Sequence, residues 1–171
     1  MSMLDNVPLL IKDQQLSANH WQLIDKEQVI DLSSLADSDN IILPFARWQE
    51  NEPMVLGKAN IGLWLDSDES AEPLASVCHD VPLIAINFPV FSDGRGYSYA
   101  RTLRDYFAYR GEIRAIGDVL PDQMYFYKRC GFNSFLLRSD VNPETAINCL
   151  NDFSLSYQAG SDQRTPIFHQ R

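Results

Sequence analysis

Four short apolar runs, each stopped by turn or charged residues, recur along the second part of this chain and constrain its fold more than anything else in it. They are Asn60–Asp66, Pro82–Phe88, Glu112–Val119 and Ser134–Arg138. Each holds four to eight apolar-rich positions dominated by Ile, Leu and Phe, which suits strands buried on both faces of a parallel sheet. Helical spacing takes over between them. Ala71–Asp80 places Leu74, Val77 and Cys78 on one face, and Ser98–Tyr109 places Ala100, Leu103 and Phe107 together before Gly111. A third helix opens at Pro121 and aligns Met124, Tyr127 and Cys130 before Gly131. A fourth has Asn142 as N-cap, Pro143 at its first position and Ala146, Ile147, Leu150 and Phe153 on its apolar face.

Four successive β-α units predict an α/β fold with a parallel sheet, either a half-barrel or an open doubly wound sheet. A half-barrel leaves an apolar edge that the N-terminal lead or a second chain must cover. The chain reads as one domain over 1–171: a lead over 1–57, a β-α core over 58–157 and a frayed tail over 158–171. In the lead, Trp21–Ile24 and Ile41–Pro44 read as short strands, Val29–Leu35 as another short element, and Phe45–Glu50 as the start of a helix.

Composition narrows the partners. The formal charge is -9, with acids concentrated before residue 88 and a locally basic stretch over 88–140. That balance argues against nucleic acid, which needs clustered Lys and Arg, and leaves a small anion as the natural ligand of the basic stretch. No run of 18 apolar residues predicts a membrane helix, and the first residues lack the basic and apolar blocks of a secretory signal. Cys78, Cys130 and Cys149 form no CxxC and no metal-ligand spacing with histidine, so they read as reduced thiols of a cytoplasmic protein, and no metal is expected.

Ligands of parallel β-α folds sit at the carboxyl ends of the strands. That rule selects Asp66, Ser67 and Asp68, the loop Ser92–Ser98, then Asp118, Asp122 and Gln123, and finally Arg138. The loop is the densest in chemistry. Gly94 and Gly96 flank Arg95, so backbone and guanidinium can both approach an anion, with Tyr97 and Ser98 following and Asp93 and Asp118 as polar partners. The candidate ligand set is Asp93, Gly94, Arg95, Gly96, Tyr97, Ser98, Asp118, Asp122, Gln123 and Arg138, and the catalytic candidates are Asp93, Arg95 and Asp118. The bland alternative is a tight turn capped by Asp93, with Arg95 paired to Asp118 or Asp122. Arg101, Arg104 and Arg114 read as solvated or paired surface charges. The opposite edge, with Arg110-Gly111-Glu112 and Cys130–Asn133, reads as plain turns. GRG is not a dinucleotide fingerprint, and no haem or iron–sulfur motif is present, so no cofactor is expected.

The string from Leu83 to Arg138, with LIAINFPVFSDGRGYSYARTLRDYFAYRGEIRAIGDV at its centre, resembles a bacterial family of unknown function. Members of that family are typically encoded beside the haemoprotein subunit of assimilatory sulfite reductase and are often labelled probable oxidoreductase. Looser similarity runs from Trp21 through LPFARW and IGLWLDSD to FSLSYQ. Family-like positions are Phe91, Asp93 to Ser98, Arg101, Arg114, Gly117, Asp118, Asp122, Gln123, Cys130 and Gly131. Val90 and Pro121 stand where the family pattern has basic residues. The resemblance implies a place in cytoplasmic sulfite reduction, with the reductase haemoprotein as partner, and names no reaction. Three readings follow: an accessory protein that binds the reductase or a small anion at the strand ends; an enzyme or oxidoreductase acting on a small anion through Asp93, Arg95 and Asp118; and a structural half-barrel that assembles with itself, for instance as a homodimer.

Overall fold

The computed structural model describes residues 9–154 and 156–166. The four apolar runs become strands that pair side by side in chain order, and the lead adds four more. In order the elements are β1 (Leu10–Lys12), β2 (Gln15–Ser17), β3 (Gln22–Leu23), β4 (Ile41–Pro44), α1 (Phe45–Glu50), α2 (Glu52–Val55), β5 (Ile61–Leu65) and β6 (Leu83–Phe88). They continue as α3 (Arg95–Arg101), β7 (Glu112–Gly117), α4 (Met124–Cys130), β8 (Ser134–Leu136) and α5 (Pro143–Cys149). All eight strands form one sheet in the order β2-β1-β8-β7-β6-β5-β4-β3.

From β3 to β8 every pair is parallel and the order never reverses. A doubly wound sheet reverses at a switch point, so this is the singly wound half-barrel. Two corrections apply to the expectation of four parallel β-α units. The sheet is mixed, because the two-residue connection Asp13-Gln14 can only return β2 antiparallel to β1, which itself runs antiparallel to β8. Furthermore, the first connection, over residues 71–80, is not a helix. It is two single turns of i→i+3 bonding, Glu72–Leu74 and Cys78–Asp80. The amides of Leu74, Ala75, Val77, Asp80 and Val81 each donate to the carbonyl three residues back, to Ala71, Glu72, Leu74, Val77 and Cys78. Cys78 points into the core and His79 to solvent, as expected for an ordinary buried thiol.

Strand alternation divides the buried residues by face. Ile61, Leu63 and Leu65 of β5, Ile84, Ile86 and Phe88 of β6, and Ile113 and Ala115 of β7 join the buried side chains of every helix in one core. Ile42, Trp64, Leu83, Ala85 and Ile116 form a second cluster on the opposite, concave face, to which no helix contributes. The lead supplies the cover. Trp21 packs on that cluster, the Trp64 indole donates to the Ile24 carbonyl at 2.9 Å, and Asn19 accepts from Arg114 at 3.1 Å.

This strap also measures the curl. β2 and β3 are the two outer strands of the sheet, yet only residues 18–21 join them. Five Cα steps reach at most about 19 Å, whereas seven spacings of a flat sheet amount to roughly 34 Å. The sheet must therefore bend until its edges approach.

Arg114 corrects the reading of the arginines as surface charges. It is 1% exposed on the concave face, where Glu112 accepts from its Nε at 2.9 Å and from Nη2 at 2.7 Å. Lys12 completes the group by pairing with the other Glu112 oxygen at 2.7 Å. The strand period requires this placement: Ile113 and Ala115 face the helices, so residues 112, 114 and 116 must face the concave side. No helix among the described residues is long and apolar enough to cross a membrane.

Candidate functional site

The carboxyl ends of β5, β6, β7 and β8 share one rim, because their register pairs Leu65 with Ile86, Phe88 with Gly117 and Ala115 with Phe135. Gly117 makes the closest of these junctions. Its φ is +89°, and a Cβ there would run into the Phe88 carbonyl oxygen, so only glycine fits. The next residue turns back at once, and the Asp118 amide donates to that same carbonyl at 2.7 Å.

The loop leaving β6 is organised from within. Asp93 Oδ1 accepts from the Arg95 amide at 3.2 Å and from Arg95 Nε at 3.0 Å, while Oδ2 accepts from Nη2 at 2.7 Å. The carboxylate thus binds the first amide of α3 from just before its N-cap, Gly94, and grips the guanidinium of the same turn. For that reason α3 begins at Arg95, three residues earlier than the apolar spacing predicts. Those hydrogen bonds from Arg95 hold the Asp93 carboxyl far below the usual carboxylate range. Arg95 also donates to the Ser67 hydroxyl at 3.1 Å, and the Tyr99 hydroxyl donates to the Ser67 carbonyl at 2.8 Å, tying α3 to the end of β5.

The glycines of GRG differ in role. Gly96 is buried, and a Cβ on it would lie 2.7 Å from Phe88 Cζ and 2.8 Å from Ile86 Cγ2. It lets α3 pack against β6 and does not face a ligand. Gly94 is exposed, with nothing closer to its Cβ position than a Tyr97 ring carbon at 3.7 Å. Tyr97 packs among Phe88, Phe126 and Tyr127 at centroid distances of 4.8 to 5.1 Å, in the aromatic core beneath the rim. Ser98 lies exposed on α3.

A second ion-pair group occupies the β7–β8 side. Asp118 Oδ1 accepts from Arg138 Nη1, and Arg138 also donates to both oxygens of Asp140, at 2.9 and 2.6 Å. Hydrogen bonds to Asp140 and then to Asp118 raise the guanidinium's proton affinity further. The second Asp118 oxygen, Oδ2, accepts from the Phe91 amide at 2.9 Å. Gln123 grips the same residue from the other side, its Nε2 donating to the Phe91 carbonyl at 3.1 Å. The backbone of Phe91 is thus held at both ends, while its side chain is 55% exposed and that of Val90 51%. Asp122 is exposed in the turn before α4.

The structure therefore brings Asp93, Arg95, Asp118, Gln123 and Arg138 onto one rim. It places Gly96 and Tyr97 in the packing below and leaves Gly94, Ser98 and Asp122 as exposed neighbours. The alternative pairing of Arg95 with Asp118 or Asp122 gives way to Arg95 with Asp93, a partner two residues off, because the capping turn already brings the two groups together.

Reasoning from sequence missed the third group, Lys26–Asp66–Asn87. Lys26 pairs with Asp66 at 2.6 Å, and Asn87 donates to the other Asp66 oxygen at 3.0 Å. Burial opposes ionisation of Asp66, yet the hydrogen bonds from Lys26, Asn87 and the Ser67 amide prevail and hold it below its ordinary value. The position of Asp66 after a strand marks it, but nothing in the lead marks Lys26. Among the described residues no group of three or more His, Cys, Asp or Glu side chains is placed to hold a metal ion.

No curated protein matches this chain in sequence. A family model does, over residues 62–168, which runs from the second residue of β5 past α5 and takes in every residue of the rim except Lys26. On that match the chain belongs to a family of bacterial proteins of unknown function, DUF934.

Proposed function

We propose that this protein is an accessory factor of assimilatory sulfite reduction in the cytoplasm, acting by docking and without chemistry of its own, and that it docks through the strand-end rim onto the reductase haemoprotein. The observation that carries the docking half is Phe91: a backbone fixed by Asp118 and Gln123, beneath an apolar side chain presented to solvent beside Val90. A pre-organised apolar tip ringed by charge is the anatomy of an interface anchor. The pathway and the partner rest on the resemblance of residues 83–138 to proteins encoded beside that reductase.

The rim's electrostatics support docking over catalysis. A general acid or base needs a pKa near the working pH, and Asp93 is held far below it by Arg95. Arg95 and Arg138 are each engaged by carboxylates, which already offset the charge that a small anion would seek. Val90, where the family pattern has a basic residue, adds apolar surface to the tip instead of charge.

The test is co-purification of the tagged protein with its own reductase haemoprotein at low salt, read by siroheme absorbance. Near-stoichiometric co-elution that is lost in Val90→Asp/Phe91→Asp is the expected result. Absence of co-elution with both proteins folded overturns the reading, and retention by the double variant removes the rim from the interface.

A further inference from the structure

The opposite rim, at the starting ends of β7 and β8, holds a cavity of about 380 Å³, at the small end of the range for organic ligands. Phe132, Phe135 and Leu150 give it apolar walls, and Arg104, Arg110 and Lys128 line it with three cations. These are the turns that the sequence leaves without chemistry.

None of the three cations has a carboxylate partner among the described residues, which they share with Arg47, Lys58 and Arg164, whereas Arg95, Arg114, Arg129 and Arg138 each have one; what sets the three apart is that they line one space. Arg104 donates to the carbonyls of Tyr109, Gly111 and Gly131 at 2.8 to 2.9 Å and to the Asn133 side-chain oxygen at 3.2 Å. Of the five N–H groups of a guanidinium this leaves one free. Lys128 donates to the Leu150 carbonyl and the Asn151 side-chain oxygen. Arg110 is exposed and makes no hydrogen bond or ion pair among the described residues. Two acids also line the cavity. Asp162 is neutralised by Arg129 at 2.7 Å, and Asp13 accepts from Asn133 at 3.1 Å, so the net charge facing the space is positive.

The local backbone is built around Arg104. It sits in the π-helical turn Thr102–Tyr106 that ends the α3 helix, and the chain leaves that turn through Ala108 at φ +53°. Such turns and left-handed non-glycine residues cost free energy and concentrate at functional sites. Burial pushes the Arg104 guanidinium down and nearby Arg110 pushes the same way, against the opposing pull of Tyr109 and Asp13.

We propose that this cavity is a binding site for a small organic oxyanion: a carboxylate, sulfonate or phosphate group held between Arg110, Lys128 and the free N–H of Arg104, with an apolar or aromatic body against Phe132, Phe135 and Leu150. It lies at the opposite end of the strands from the docking rim and does not depend on that reading.

The experiment is a ¹H–¹⁵N NMR titration of the full chain with benzenesulfonate, with benzyl alcohol as the neutral counterpart and inorganic phosphate as the anion without an apolar body. Saturable shifts are expected at Gly111, Gly131 and Asn133 with benzenesulfonate, at least tenfold weaker with either control. Arg110→Glu, at an exposed side chain without partners, is expected to weaken binding at least tenfold while the rest of the spectrum superimposes. Lys128→Met is expected to weaken it as well, by removing a second cation. Non-saturating shifts, shifts confined to other regions, or unchanged affinity in both variants overturn the proposal. Phosphate binding as tightly as benzenesulfonate overturns the organic half of it.

Discussion

Asp93 and Gly96 show how two adjacent turns of chain divide structural labour at the rim. The carboxylate of Asp93 binds the first amide of α3 and grips Arg95, while Gly96 removes the one Cβ that would hold α3 away from β6. The two glycines of GRG therefore predict opposite responses. Gly94→Ser, at an exposed N-cap position, is expected to change stability by less than about 0.5 kcal/mol. Gly96→Ala inserts a methyl against Phe88 and Ile86 and is expected to cost about 1–3 kcal/mol, as overpacking of a filled core does. For a chain of this size that is a fall in Tm of roughly 2–12 °C, measurable by differential scanning calorimetry. Equal effects at the two positions would show that close packing of α3 on β6 is not what Gly96 provides. Phe91→Asp belongs beside them as a control: with its side chain mostly in solvent it should leave Tm within about 2 °C of the parent, so that any loss of partner binding is a surface effect.

The strands of the second half were legible because burial on both faces writes itself as uninterrupted Ile, Leu and Phe; β5, β6, β7 and β8 all fall inside the four runs. In the lead, Trp21–Ile24, Ile41–Pro44 and Phe45–Glu50 hold β3, β4 and α1 as read, whereas β1 and β2 escaped for two reasons. Both are only three residues long, and their identity comes from the neighbour each pairs with. The β1–β2 turn also lacks a hairpin signature, since Asp13 and Gln14 carry φ of +49° and +67° without a glycine between them. The rim positions were legible from the strand-end rule, while their pairing was not, because ion-pair choice depends on side-chain reach in three dimensions. Arg114 escaped for a related reason: in a half-barrel the concave face buries charge that strand alternation alone would assign to either side.

That buried pair carries a pH dependence. Burial would raise the pKa of Glu112, but the Arg114 charge and hydrogen bonds from Lys12, Ser134 and Arg114 hold it below its ordinary value of 4.5. A carboxyl with a lower pKa folded than unfolded binds protons more weakly in the native state. Its stabilisation is therefore full above pH 4.5 and is lost as pH falls through the depressed folded value. Tm is expected to drop steeply on that acid side. Glu112→Gln should lower Tm at pH 7 by roughly 6–12 °C, by leaving Arg114 buried without its carboxylate at a cost of about 3 kcal/mol. It should also flatten the acid limb, leaving the part that Asp31, Asp66, Asp93 and Asp140 contribute. An acid limb unchanged in the variant would remove Glu112 from the linkage.

At the scale of the whole molecule the deciding feature is the strap over residues 18–21. Read from the sequence, the chain is one domain whose lead over 1–57 packs on a β-α core that begins at residue 58. The pairing goes further and makes the lead part of the sheet itself. β4 lies along β5 through four paired residues, β1 lies along β8 through three, and the strap between β2 and β3 crosses the one face that no helix covers. Removing the lead would expose Trp64, Leu83, Ala85 and Ile116 on a concave surface, open both edges of the remaining sheet and leave Arg114 and Glu112 without Asn19 and Lys12. Exposed apolar sheet faces with unpaired edges associate. A chain comprising residues 58–171 is therefore expected to aggregate or to give a collapsed amide spectrum, whereas the full chain gives a dispersed one. Asn19→Ala tests the same point gently. It removes one acceptor of a buried guanidinium and both strap-internal hydrogen bonds to Trp21, and it should cost about 1–3 kcal/mol by chemical denaturation with an unchanged m-value. A well-dispersed monomeric spectrum from residues 58–171 would make the lead dispensable and return the concave face to some other cover.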